Sequence, residues 1–351
     1  MRIWVALACL VVLSACSVKE RAVPVLEPVQ GAQVWPPPPE IPRYAYAGTL
    51  TGEADFISKK EEQKSFGKKT LEFIIGFIFG EPDYLKLVRP VTGLVDARGR
   101  VLVTDMGRPG VVVFDFLKKD TDLWQEASEE QDFVAPVGIT EDGFGGYFVT
   151  DSQLGEIFHL DAEGRPLKSF GKRVVGRPTG IVRDPATGDI FVTDTQYHRV
   201  VVFSAGGEVI DILGSRGTEP GRFNFPTHLA VSEGHLYVAD SLNFRVQVLS
   251  LDGEGKLVFG ELGANIGDMM RPKGVAVGGE GRIYVIESYY DHILIFDNKG
   301  RFLMPIDGAK LASGSLYLPS GVWLDKERRV YVADMFNGRI CIFKELTRGD
   351  Q

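Results

Sequence analysis

An acidic residue recurs six times along the chain at almost even spacing. Successive acids are separated by 46, 43, 46, 47 and 47 residues, and each ends a short apolar run such as IFVTD. Carboxylate oxygens are preferred ligands of Ca²⁺, so six acids gathered in one ring would suit this ion. The six acids are Asp105, Asp151, Asp194, Asp240, Glu287 and Asp334.

Basic residues favour a different role for these acids. Five positions after the acid, three copies carry Arg199, Arg245 and Arg339, and a fourth carries His292. A carboxylate that faces a cation across a hairpin forms a charge-assisted hydrogen bond, and the cation neutralises the acid. We therefore predict that the six acids and the three arginines form structural clasps, and a ring of Ca²⁺ ligands stays open as the alternative.

The elements around each acid come from an internal repeat. Each copy holds three short β-rich runs, separated by Gly, Asp or Asn as tight turns require. A fourth run follows in most copies, for example GEVIDILG at 207–214, and it is weaker in the first copy, DLWQEAS. Four antiparallel strands about every 46 residues predict the blades of a β-propeller. The six copies occupy 89–114, 135–160, 177–203, 225–249, 271–296 and 318–343.

The sixth copy ends without a fourth run, and the missing strand lies near the other terminus. Residues 43–52, RYAYAGTLTG, alternate apolar and polar residues and end in Gly. We predict that this strand pairs with 340–343 and closes the ring. Closure would remove the unpaired edge that an open sheet presents to other chains.

The repeat pattern P-x-G-V-A-V…I-Y-V-A-D-S-x-N-x-R-I-x-V-F resembles the NHL repeat. Over residues 43–345 the chain is similar to bacterial six-bladed NHL-type β-propeller lipoproteins. The resemblance implies an all-β fold of six blades with four antiparallel strands each, an insertion at 56–88, and a tail at 346–351. Because this scaffold hosts many activities, the resemblance indicates the fold and says little about function.

His228 is the candidate for chemistry at the propeller axis. Lactonases and an amidating lyase resemble this architecture, and these enzymes set metal ligands around the axis. A catalytic Zn²⁺ usually needs three protein ligands, and no other copy offers His at this position. We therefore expect His228 to be a polar residue at the channel mouth. Gly would let the innermost strand approach the axis in the other copies, at Gly93, Gly138, Gly180, Gly274 and Gly321.

Strand order assigns the loops to two faces. The turns between strands 2 and 3, and the links from strand 4 to the next blade, emerge on one face, which we call the top face. Five of the six turns between strands 2 and 3 carry a large apolar or aromatic residue. Such residues indicate either a protein-binding surface or packing between blades. The candidate binding residues are Tyr197, His198, His228, Phe244, Tyr289, Tyr290 and Phe336.

The first residues predict an address in the cell envelope. Residues 1–15 combine Arg2 with a short apolar run, as a signal peptide does, and Leu13-Ser14-Ala15-Cys16 resembles the bacterial lipobox. The resemblance implies lipidation of Cys16, with 16–42 as a Pro-rich tether. Ser17 follows, which favours the outer membrane by the rule known for enteric bacteria. A net charge of −8 argues against nucleic acid as a partner.

The insertion holds an apolar stretch, LEFIIGFIF, that predicts one helix near 66–79. We expect it to pack on the propeller, with the bilayer surface or a partner as alternatives. For the whole chain we predict a monomeric, non-catalytic module that binds envelope proteins through its top face or serves as a scaffold among them, with no cofactor. A metal-dependent hydrolase or lyase of the lactonase or amidating-lyase type, using Ca²⁺ or Zn²⁺, is the alternative.

Overall fold

The computed structural model describes residues 24, 26–57, 84–308, 311 and 313–347, and these residues form a six-bladed β-propeller, as predicted. Each blade is an antiparallel sheet in which four strands follow one another from the axis outwards, and blade 6 has a fifth strand at its outer edge. Blades 1 to 3 comprise Pro90–Val95, Val101–Asp105, Gly110–Asp115 and Asp120–Trp124; Pro136–Glu141, Tyr147–Asp151, Glu156–Leu160 and Pro166–Phe170; Pro178–Arg183, Ile190–Asp194, Arg199–Phe203 and Val209–Leu213. Blades 4 to 6 comprise Pro226–Ser232, His235–Asp240, Arg245–Ser250 and Gly255–Phe259; Pro272–Val277, Ile283–Glu287, His292–Phe296 and Phe302–Asp307; Val322–Leu324, Arg329–Asp334, Arg339–Glu345 and Tyr44–Leu50.

The hydrophobic core lies between neighbouring blades. Strand Ile190–Asp194 is buried along its whole length, because both of its faces meet another sheet. The outermost strand of the same blade, Val209–Leu213, is exposed at four of five positions. β-Branched side chains suit such sheets, and each fully buried Val or Ile contributes about 1.5–3 kcal/mol. Short 3-10 turns Glu53–Phe56, Ser241–Asn243, Gly279–Gly281 and Met335–Asn337, and a small hairpin of Glu126–Ser128 and Gln131–Asp132, complete the described elements.

The ring is closed by the N-terminal strand, as the sequence predicted. Tyr44–Leu50 pairs antiparallel with Arg339–Glu345, from Tyr44 opposite Glu345 to Leu50 opposite Ile340. A further strand, Val34–Trp35, pairs with the outer side of this segment and was not predicted. The N-terminal region thus supplies two of the five strands of blade 6.

The chain before this strand also packs on blade 6. Leu26 is buried, and the Glu27 carboxylate lies 3.0 Å from the Lys344 ammonium. Trp35 is buried, and its ring meets the Phe343 ring edge-on at 5.5 Å. From residue 26 onwards the Pro-rich segment therefore follows the propeller surface. The predicted signal peptide, Cys16 and the helix at 66–79 lie outside the described residues. Within the part of the chain that is described, no helix is long and apolar enough to cross a membrane.

Strand register corrects the sequence alignment at the axis. In blade 1, Gly93 pairs with Val103, exactly as Ile139 pairs with Val149 in blade 2. Thr92, and not Gly93, therefore occupies the position of Gly138. Matching Gly93 with Gly138 in the sequence was wrong, because it required a gap between the two copies. The distance along the chain from the Pro that opens the first strand to the recurring Asp is the same in blades 1 and 2, so no gap is needed. The position holds Gly in four blades, Thr92 in blade 1 and His228 in blade 4.

Candidate functional site

The six recurring acids are buried at the top end of the second strands. Asp105 is fully buried and accepts hydrogen bonds from the backbone N–H groups of Val88 and Arg89 in the preceding link, at 2.6 and 2.8 Å. The same carboxylate accepts from Gly107 and Arg108 in the turn after the strand, at 2.7 and 3.0 Å. Five of the acids thus join a link to a turn on the top face, and Asp194 joins its link to Arg199 at the start of the third strand. The acids other than Asp105 are Asp151, Asp194, Asp240, Glu287 and Asp334.

The arginines add a charged partner to three of these acids. Arg245 Nε donates to Asp240 at 2.8 Å, and its other nitrogens donate to the backbone carbonyls of Thr218 and Arg222. The guanidinium therefore holds both the acid and the preceding link. Arg199 with Asp194 and Arg339 with Asp334 form the equivalent pairs, at 3.2 and 2.6 Å.

These contacts leave the acids dispersed around the ring. Among residues 26–57, 84–308 and 313–347, no three His, Cys, Asp or Glu side chains lie close enough together to hold one metal ion. All six acids accept hydrogen bonds from the links and turns next to them. These hydrogen bonds hold the top-face loops in place.

The predicted top-face residues differ in exposure. Tyr197, Tyr289 and Phe336 are exposed over 52%, 54% and 47% of their surface. Phe244 and Tyr290 are half-buried. Some of these rings therefore face solvent, as a binding surface requires, and others pack into the loops.

His198 is buried, although the sequence suggested a binding residue. Its Nδ1 accepts a hydrogen bond from the backbone N–H of Phe225 at 3.0 Å, and the two rings meet edge-on at 4.6 Å. Burial, followed by the nearby Arg216 charge, lowers the pKa of His198. The imidazole thus supports the exposed ring of Phe225 from below.

Two exposed aromatic residues on the top face were missed. Phe225 and Tyr317 lie in links between blades and are exposed over 38% and 54% of their surface. The Tyr317 and Phe336 rings meet at 5.4 Å, and the Arg89 guanidinium lies 5.5 Å from the centre of the Phe336 ring. The sequence pattern that could have identified them is an aromatic residue one or two positions before the Pro that opens a repeat, as in FP at 225–226 and YLP at 317–319.

His228 lies at the axis and not on the top rim. It lines a cavity of about 390 Å³ that also touches the turns between strands 1 and 2, around Thr140 and Arg183, so the cavity opens on the bottom face. Neither ring nitrogen has a hydrogen-bond partner; the Lys273 backbone lies nearby without the geometry of a hydrogen bond. Burial, then the Lys273 charge, lowers the pKa of His228 to about 4, so the ring is neutral at pH 7.

Comparison with known proteins identifies one copy of the repeat. Residues 223–249 match the NHL repeat family model. Peptidylglycine alpha-amidating monooxygenase of Rattus norvegicus is 31% identical over 144 residues, which cover 36% of this chain and 15% of the rat protein. The matched region is thus a small part of that relative's length, and the similarity is distant.

Solved propellers share the fold. A gluconolactonase of Xanthomonas campestris superimposes with a TM-score of 0.56 at 15% identity, covering 75% of this chain and 90% of that one. An auxiliary nutrient binding protein of Bacteroides thetaiotaomicron gives 0.59 at 14% identity, covering 74% and 69%. At such identities the comparison shows a common architecture that serves enzymes and binding proteins alike.

Proposed function

We propose that this chain is a non-catalytic module that binds a partner protein through its top face. The observation that carries the proposal is a set of exposed aromatic rings on one face, across blades 3 to 6. Aromatic side chains provide large contact areas and are enriched at protein interfaces. The set, which we call the aromatic rim, is Tyr197, Phe225, Tyr289, Tyr317 and Phe336.

Charge at the aromatic rim indicates the kind of partner. The Arg199 guanidinium lies 5.0 Å from the centre of the Tyr197 ring, and Arg89 lies similarly over Phe336. Arg199 is paired with Asp194, but Arg89, Arg177 and Arg271 are exposed in the links next to the rim and suit a partner whose apolar patch is edged by carboxylates. Because buried acids hold the loops, the rim would bind with little loss of conformational entropy.

The proposed lipid anchor would leave the aromatic rim free. Pro24 and Leu26 lie beside the turns between strands 1 and 2 of blades 1 and 6, on the bottom face. Seven residues lie between Cys16 and Pro24, and this segment spans at most about 28 Å when fully extended. A lipid on Cys16 would therefore hold the bottom face towards an envelope membrane, which we propose to be the outer membrane, and direct the rim away from it.

A metal-dependent hydrolase or lyase is the second candidate. The similarity to amidating monooxygenases is the observation that favours it. Such an activity would require metal ligands at the axis, where the described first strands place His228 and Thr92 on different blades and Gly at the other four equivalent positions. We rank this activity second because protein binding through the aromatic rim requires no metal ligands at the axis.

Photo-crosslinking in intact cells tests the binding function. A photoreactive residue at Tyr289 should capture one defined partner, whereas the same residue at Leu117, exposed on the bottom face, should not. Replacing Tyr197, Phe225, Tyr317 and Phe336 with Ser should abolish capture from position 289. Ser at Ile210, Ile212 and Leu303, exposed on outer strands, is the matched control. Equal capture by both variants would contradict the proposal.

A further inference from the structure

We propose that the bottom face of blades 6, 1 and 2 lies against a lipid surface and inserts three apolar side chains into it. Ile41, Leu117 and Phe144, which we call the apolar tips, are exposed over 67%, 84% and 88% of their surface. Exposed apolar groups gathered on one face indicate contact with a protein or a membrane. The inference rests on the lipid anchor in the proposed function and does not involve the aromatic rim.

Phe144 lies in the turn between strands 1 and 2 of blade 2. The turn is DGFGG, and the residues on both sides of Phe144 have positive φ, 87° at Gly143 and 101° at Gly145. Asp142 Oδ1 accepts hydrogen bonds from the backbone N–H groups of Phe144 and Gly146, at 2.6 and 2.9 Å. The turn is therefore fixed by its own hydrogen bonds while the aromatic ring stays in solvent.

Leu117 lies on the same face in blade 1, in the turn between strands 3 and 4. Asp115 Oδ1 accepts hydrogen bonds from the backbone N–H groups of Leu117 and Lys118, at 3.0 and 2.9 Å, so this turn has the same kind of support. The equivalent turns of blades 2, 3 and 5 carry small or polar residues, DAEGR, SAGGE and DNKGR. The fold therefore does not require a large apolar residue at this place.

Ile41 lies at the bottom end of blade 6, in the loop that precedes strand Tyr44–Leu50. Tyr44 pairs with Glu345, the last residue of the third strand, which runs from the top face to the bottom face. Three exposed prolines, Pro37–Pro39, precede Ile41 in the same loop. Three neighbouring blades thus each present an apolar tip at one face.

The chain that precedes the propeller reaches it at this face. Pro24 and Leu26 line the same cleft at the bottom of blades 6 and 1 as Leu117 does. Seven residues lie between Cys16 and Pro24, so an acylated Cys16 would hold Pro24 within about 28 Å of the membrane. The lipid surface would then be a close neighbour of the apolar tips.

The charges around the apolar tips are compensated within the chain. Lys118 lies 3.7 Å from Asp115, and Arg98 lies 3.2 Å from Glu163. Glu163 also lies 3.6 Å from Arg165. Attraction to anionic headgroups is therefore weak, and the removal of apolar surface from water would drive the contact.

A lipid surface fits this arrangement better than a protein partner does. The apolar tips come from three separate loops, and polar turns such as DARGR at 96–100 lie between them. A protein partner would need a complementary surface, packed about as closely as a protein interior. The interfacial region of a bilayer can instead surround separate side chains.

Fluorescence quenching of the acylated full chain in vesicles tests the lipid contact. Phe144→Trp places a fluorophore at one apolar tip, and the native Trp35, Trp124 and Trp323 are buried and give a constant background. Lipids brominated in the upper acyl chain should remove most of the new emission, because interfacial side chains lie about 5–10 Å into the headgroup boundary. Tyr289→Trp, on the top face, is the matched control and should keep its emission. Equal quenching at both positions, or none at position 144, would overturn the proposal.

Substitutions at the other two apolar tips test whether the three residues form one surface. Ile41→Ser with Leu117→Ser should lower the equilibrium constant for the contact about tenfold or more, measured as lost quenching at position 144. Ile210→Ser with Ile212→Ser, exposed on an outer strand, is the matched control and should leave the quenching unchanged. Neutral and anionic vesicles should give the same result. Quenching that requires anionic lipid, or that both pairs of substitutions leave unchanged, would overturn the proposal.

Mass spectrometry of the same preparation separates this inference from the proposed anchor. Acyl groups on Cys16 without quenching at position 144 would overturn the lipid contact and leave the anchor in place. A Cys16 that carries no acyl group would contradict the anchor, and this inference with it. Neither result affects the aromatic rim, which capture from position 289 tests separately.

Discussion

The hydroxyl groups of Tyr44 and Tyr284 lie 3.0 Å apart in the core, although 240 residues separate them in the chain. Tyr44 belongs to the N-terminal strand of blade 6, and Tyr284 belongs to the second strand of blade 5. Burial raises the pKa of Tyr44 to about 12 and raises that of Tyr284 further. The closing strand is thus bonded to the neighbouring blade as well as to its own sheet.

We predict that Tyr44→Phe lowers the free energy of unfolding by about 1–3 kcal/mol, because the Tyr284 hydroxyl is left buried without its partner. The double variant Tyr44→Phe/Tyr284→Phe should cost less than the sum of the two single variants, since it removes both hydroxyls. Urea unfolding of the four proteins, analysed as a double-mutant cycle, measures this difference. Strictly additive costs would show that the two hydroxyls are not coupled.

The buried pair of Asp240 and Arg245 should be strongly coupled to stability. Arg245→Met leaves a fully buried carboxylate without its cation, and we expect a loss of about 3–5 kcal/mol. The pair of Asp161 and the exposed Arg165 provides the control, and Arg165→Met should leave the melting temperature almost unchanged, because solvent screens the pair. Thermal unfolding measures both. A melting temperature that rises with added Ca²⁺ and falls with a chelator would instead support acids that bind calcium.

His228 should make the fold sensitive to acid. Its pKa is lowered from 6.5 to about 4 by burial and then by Lys273, so the folded state binds fewer protons than the unfolded state between these values. Stability is therefore unaffected above about pH 6.5 and falls as the pH decreases towards 4, by up to about 3 kcal/mol. Urea unfolding at about pH 7 and 4.5 should show this loss in the native chain and not in His228→Gly. Parallel pH profiles would contradict the assignment.

Close packing at the axis predicts that Gly180→Ala is destabilising. Its Cβ would lie 2.7 Å from the Cα of His228 and 2.9 Å from the carbonyl oxygen of Thr227, and backbone atoms of a closed ring yield little. We expect a loss of about 1–3 kcal/mol in chemical denaturation. Gly206→Ala is the matched control, because the nearest neighbour of its Cβ, Ser204 Oγ, lies at 3.6 Å. A cost no larger than that of the control would show that the axial strands can move apart.

The sequence predicted most of the fold because the repeat carries redundant signals. Six acids at even spacing gave the blade number, and the alternation of RYAYAGTLTG gave the closing strand. The outermost strand Val34–Trp35 was missed because two residues among prolines carry no strand pattern. It forms because Trp35 can bury its ring against Phe343, a contact that exists only after the ring has closed.

The candidate sites were less predictable, because exposure and register are not local properties. His198 and Tyr197 are adjacent in one turn, yet one is buried beneath Phe225 and the other is exposed. His228 and Trp323 belong to different blades and line the same axial cavity, and no sequence pattern relates them.

By itself, the sequence determined the number of blades, the strands within each blade and the strand that closes the ring. These features follow from local patterns: alternation sets which side chains are buried, and the acid after each second strand sets the turn. The tertiary structure decided which rings face solvent, that Thr92 and not Gly93 takes the axial position, and that His228 lines the axial cavity. The reason is geometric, since each of these depends on how neighbouring blades pack around one axis, and that packing brings together residues from distant parts of the chain.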